Sequence, residues 1–147
     1  MIWGAHPPRF ILKNYGINHI FDVGANKGQF AQQVRASGYN GKIVSFEPIR
    51  SVFEILKQNA DKDPLWTALN YGCGDYDGEA IINVSEHSVF SSMLEQLPLL
   101  KGNYKKPNYV RKEEIKVCKI DSIFNKYYKE DEKVLLKIDT QGFEKKF

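Results

Sequence analysis

Apolar runs alternate with polar breaks along the chain in an order that predicts an α/β protein. Positions 9–15 follow Pro7-Pro8 and stop at Gly16, which suits a short helix, because proline is tolerated at a helix start and glycine at its end. His19–Val23 is a short apolar run that reads as a strand leading into Gly24. Over 27–37, Phe30, Ala31 and Val34 recur at helical spacing and Gly38 supplies the stop, which predicts the first long helix. Lys42–Phe46 reads as a second strand ending at Glu47-Pro48, and Val52, Phe53, Ile55 and Leu56 predict a helix to about Asn59. This β-α-β-α order implies parallel neighbours joined by right-handed crossovers, hence a sheet with helices on its faces.

A third parallel strand is expected over 66–71, followed by a polar, glycine-rich turn over 72–78. The rhythm then changes. Segments 79–84 and 114–120 both read as strands, so the stretch of about 79–120 is expected to be an antiparallel insertion. Positions 121–128 predict a helix capped by Asp121, and Val134–Ile138 a last strand ending at Asp139.

Composition narrows the class of protein without naming a function. At 147 residues the chain has room for one domain, read here as 1–147. Its longest apolar clusters fall well short of the roughly 20 residues that cross a bilayer, and its first residues lack the form of a secretory leader, so a cytoplasmic location is expected. Positive and negative residues are mixed along the chain with a net charge of +3, which argues against a nucleic-acid partner. Cys73 and Cys118 form no CxxC pair and read as reduced thiols.

The strongest chemical candidate is the strand-to-helix turn from Asp22 to Gly28, with Gly24 and Asn26 inside it. Open α/β sheets bind ligands outside the carboxyl ends of their strands, and this turn lies there. A turn with only a packing role is the alternative. The dinucleotide pattern G-x-G-x-x-G fails, since Asn26 and Gln29 stand where its second and third glycines belong, and no P-loop is present. Glu47 ends the second strand 19 positions after Gly28, the spacing at which a carboxylate accepts hydrogen bonds from ribose hydroxyls. It could equally cap the helix that follows. Asp139, at another strand end, is a candidate to orient or deprotonate an acceptor, or a cap for the next turn. His87 is a candidate general base or a solvated loop residue, and Glu144 a weaker second candidate. The histidines have no spacing that reads as a metal site. The stretch 101–112 interleaves basic residues with Tyr104 and Tyr109, which suits a solvated loop, or contact with nucleic acid or with an anionic or sugar substrate.

Four segments together resemble one family. Residues 21–28 (FDVGANKG), 45–48 (SFEP), 117–123 (VCKIDSI) and above all 136–144 (LKIDTQGFE) are similar to the FkbM-type S-adenosylmethionine-dependent methyltransferases, over about 17–144. The resemblance implies a Rossmann-like methyltransferase sheet with S-adenosyl-L-methionine held by the first strand's loop and its ribose by Glu47. It places the adenine near Gly74-Asp75 and the donor's amino-acid end near Asp22. It also implies methyl transfer to oxygen, on a sugar or natural-product acceptor. Further strands are expected after Asp139 by the same likeness, so the chain is read as C-terminally truncated, with an open sheet edge that invites self-association. The rival readings are a non-catalytic nucleoside-binding remnant and a nicotinamide-dependent enzyme.

Overall fold

The computed structural model describes residues 9–85 and 109–140. Their elements run α1 (Arg9–Asn14), β1 (His19–Val23), α2 (Gln29–Ala36), β2 (Lys42–Phe46), α3 (Arg50–Ala60), β3 (Trp66–Leu69), β4 (Gly72–Cys73), β5 (Gly78–Ser85), β6 (Tyr109–Cys118), α4 (Ile120–Tyr127) and β7 (Val134–Ile138). The main sheet has the order β3-β2-β1-β7 and is parallel throughout. A second, mixed sheet has the order β4-β6-β5, with β5 and β6 as long antiparallel partners. The expected α/β architecture with an antiparallel excursion is present.

β1 is central, and every residue of it is buried, as a strand covered on both faces must be. Alternation sends Ile20 to one face, where it packs with Phe30, Ala31 and Val34 of α2 and Phe53 and Leu56 of α3. Phe21 and Val23 point to the other face, against Phe46 and, from α4, Ile123 and Phe124. Helices therefore cover both faces. Fully burying side chains such as Phe21, Phe46 and Leu56 contributes about 1.5–3 kcal/mol each. β7 pairs with β1 on one side, and no strand among the described residues takes its other edge, where Leu136 is exposed.

The second sheet docks on the start of α3. Ile82, Val84, Ile115 and Val117 pack on Ile49 and Val52, and Glu113 accepts the Arg50 N–H at 2.8 Å. A carboxylate from a distant strand thus fills a role that a local cap residue would take at this helix N-terminus.

Several boundaries differ from the periodicity. α2 starts at Gln29, because Asn26 and Gly28 hold left-handed backbone that no helix can include. α4 starts at Ile120 with Lys119 before it, so Asp121 is not its cap. Asp77 serves instead, accepting the Lys119 N–H at 2.9 Å and the Ser122 hydroxyl at 2.6 Å. The stretch read as a polar turn contains β4, and the basic stretch supplies the first residues of β6, which begins at Tyr109 and not near 114. In both places long-range pairing overrides local polarity.

Candidate functional site

Strands β2 and β3 lie to one side of β1, and β7, reached through α4, lies to the other. The connections reverse direction between β1 and β7, which leaves a crevice above their carboxyl ends, the place where open α/β sheets bind ligands. Three strand ends meet there. The Gly24 and Ala25 N–H groups both donate to the Phe46 carbonyl, at 3.1 and 2.9 Å, and the Asp139 N–H donates to the Val23 carbonyl at 3.0 Å. The turn after β1 closes on itself through the Gly28 N–H and the Ala25 carbonyl, 2.9 Å apart.

Two glycines of this turn are required by their neighbours as well as by their backbone. Gly24 has φ +73°, and a Cβ on it would stand 2.0 Å from the Asp139 carbonyl oxygen. Gly28 has φ +89°, and its Cβ would meet the Trp66 ring at 2.7 Å. Close approach of the protein's own atoms is therefore sufficient reason for both. Asn26 adopts φ 53° between them, a conformation asparagine tolerates better than most residues.

Glu47 is buried, with 6% of its surface exposed. One carboxylate oxygen accepts the Asn26 N–H at 2.9 Å and the other the Ile49 N–H at 3.0 Å. Burial pushes its pKa up to about 7, and the two backbone hydrogen bonds oppose that rise without cancelling it. Each oxygen retains a lone pair for a further donor. Asn70, just past β3, donates from its side chain to the Glu47 and Pro48 carbonyls, both at 2.9 Å, and so fixes the backbone on which Glu47 is carried.

Asp22 lies beneath this surface, fully enclosed. It accepts a hydrogen bond from Lys137 Nζ at 2.9 Å and a longer one from the Ser45 hydroxyl at 3.5 Å, while Ser45 Oγ accepts the Trp66 indole N–H at 3.0 Å. Burial raises the Asp22 pKa, and the Lys137 ammonium works against that rise. The result is a polar row across β7, β1 and β2 that ends on the ring against Gly28. Lys137 and Asn70 were missed from sequence. A lysine inside the apolar run of β7, and an asparagine directly after a parallel strand, were the available signals.

Asp139 is exposed at the end of β7, beside Gly24. Gly74 is buried and donates its N–H to the Cys118 carbonyl at 3.0 Å, a bond that runs to the second sheet, while Asp75 is exposed. His87, Glu144 and 101–108 lie outside the described residues. Among the described residues, two cavities lie apart from the crevice. One, about 480 Å³, opens between the second sheet and α4 beside Tyr71, Asp77, Lys116 and Cys118. The other, about 570 Å³, lies at the opposite end of the main sheet beside Arg9, Lys13 and Tyr39.

A parallel sheet whose strand order reverses at β1, a left-handed turn after β1 and a buried carboxylate after β2 define an α/β protein of the doubly wound class, with its crevice at the switch point. The model of one family, described as the methyltransferase FkbM domain, matches residues 22–147. The chain belongs to the FkbM methyltransferases, and the fold agrees with an α/β methyltransferase. No curated protein matches it. Among the described residues no helix is long and apolar enough to cross a membrane.

Proposed function

We propose that the chain transfers a methyl group from S-adenosyl-L-methionine to a hydroxyl oxygen of a sugar or natural-product acceptor. The observation that carries this reading is the meeting of the Gly24 turn, the buried Glu47 carboxylate and Asp139 at one crevice. The donor, when bound, supplies an electrophilic methyl carbon on a good leaving group. Glu47 would accept hydrogen bonds from its ribose hydroxyls through the lone pairs left free by Asn26 and Ile49. Gly24, Asn26 and Gly28 would line it with backbone, and Gly74 and Asp75 are the expected neighbours of its adenine. Asp22 would act from below, as the anion of the buried row supporting the turn.

Little chemistry then falls to the protein beyond placing the acceptor oxygen in line and taking up its proton. Asp139 is the residue we assign to that role, with His87 as the second candidate. Self-association through the outer edge of β7 and a cytoplasmic location belong to the same proposal.

Calorimetric titration with S-adenosylhomocysteine, followed by methyl transfer from labelled donor to a panel of hydroxylated sugars, tests this reading. Glu47→Ala is expected to abolish donor binding. Asp139→Asn is expected to keep donor binding and lower turnover by about 10²–10⁴-fold, the ordinary contribution of a positioned base. Absence of binding heat in the unaltered chain would refute the donor assignment, and binding without transfer to any acceptor would favour the non-catalytic remnant.

A further inference from the structure

Cys73 and Cys118 take no part in the crevice, yet the fold brings them face to face. They are direct partners in the parallel pairing of β4 with β6, and both are free thiols with 2% and 4% of their surface exposed. The two thiols act on each other, Cys118 pushing the Cys73 pKa up and Cys73 drawing that of Cys118 down. Adjacent strands stand about 4.8 Å apart, inside the roughly 4.4–6.8 Å Cα range that a disulfide spans. Cys118 also lines the cavity of about 480 Å³ between the second sheet and α4, which offers a small oxidant a path.

From this juxtaposition we propose that Cys73 and Cys118 are a modification site, closed to a reversible disulfide by hydrogen peroxide, and that closure weakens occupancy of the crevice. The Cys118 thiolate attacks one peroxide oxygen, the O–O bond breaks, and hydroxide leaves to give a sulfenic acid. The Cys73 thiol then attacks that sulfur, giving up its proton to the departing hydroxide, which leaves as water. Two thiols are oxidised to one disulfide and one peroxide is reduced to two waters. The neighbouring Cys73 thiol holds that of Cys118 below its ordinary pKa, which together with its place at the cavity wall suits it to attack first. Side chains of direct neighbours in a parallel pair point the same way, so the bond forms under strain and belongs to the readily reduced class.

Closure draws β4 onto β6 and moves the turn that follows. Gly74 already hangs from the Cys118 carbonyl, and Asp77 of the same turn holds the start of α4. The effect on donor binding rests on the methyltransferase reading above, through the expected adenine contacts of Gly74 and Asp75.

The test treats the full chain with hydrogen peroxide, blocks remaining thiols with a maleimide and digests it with trypsin without reductant. A linked species joining fragments 63–101 and 117–119, formed within one chain and removed by dithiothreitol, is expected. S-adenosylhomocysteine affinity should fall about ten-fold on oxidation, the usual size of coupling between two sites, and recover on reduction. Cys118→Ser and Cys118→Ala should each bind like the reduced chain and ignore peroxide. Absence of the linked species, or links only between chains, overturns the proposal. Linkage with unchanged affinity overturns the coupling alone. A reduced chain that binds no S-adenosylhomocysteine refutes the donor reading, and the fragment map still decides the disulfide.

Discussion

Replacing Glu47 with glutamine isolates the electrostatic cost of the buried carboxylate. In the folded chain Glu47 titrates near pH 7, against 4.5 for an ordinary glutamate. The fold therefore binds one more proton than the unfolded chain between those values. Its contribution to stability is fully present below about pH 4.5, declines as pH rises, and is lost above about 7. At about 1.36 kcal/mol per pH unit the difference comes to about 3 kcal/mol. Glutamine does not titrate, so the wild-type stability minus that of Glu47→Gln should fall by about 3 kcal/mol between pH 4.5 and pH 7.5. Urea unfolding of both proteins at several pH values measures it. Other groups, Asp22 included, titrate in both and cancel to first order. A difference constant within about 0.5 kcal/mol, the ordinary scatter of such comparisons, would refute the claim that Glu47 is buried at this cost. Donor binding should run the other way. Ribose hydroxyls favour the ionised form, so S-adenosylhomocysteine affinity should rise about ten-fold per pH unit up to about 7 and then level off, whereas Glu47→Gln should lack this dependence.

Three further outcomes test the surrounding structure. Gly24→Ala forces a left-handed alanine, at about 1–2 kcal/mol, and drives a methyl group into the Asp139 carbonyl; an unchanged melting temperature would contradict that packing. Lys137→Met strands the Asp22 carboxylate and should cost about 3–5 kcal/mol at neutral pH, with a smaller loss at pH 5 in urea unfolding, because Asp22 can take up a proton instead. At the opposite end of the sheet Glu132 titrates near 2: burial works against its charge, but hydrogen bonds from Lys42, His19 and the Lys129 N–H outweigh it. Its stabilisation is present above about pH 4.5 and lost toward pH 2, so Glu132→Gln should flatten the acid limb of the melting-temperature profile, and an unchanged limb would refute the pairing.

Periodicity alone determined β1, β2, β7 and the existence of the helices, because an apolar stripe of period 3.6 or an unbroken apolar run is a local property. The turn after β1 and Glu47 were legible as site candidates for the same reason: their position at strand ends follows from element order. Tertiary structure decided what depends on pairing. Asp22 reads as a carboxylate near the donor with no partner in view, and the β1–β7 register lays Lys137, 115 positions away, beside it. Asp77 replaces Asp121 at the start of α4 because the second sheet brings it there. Gly24 and Gly28 read as glycines of a ligand turn, and the fold adds a second reason for them, the Asp139 carbonyl and the Trp66 ring standing where a Cβ would lie. Cys73 and Cys118 read as two unrelated thiols until β4 and β6 make them neighbours. A residue's type is written in the chain, but its dielectric surroundings and its partner are set by strands far apart in sequence, and those two quantities govern its chemistry.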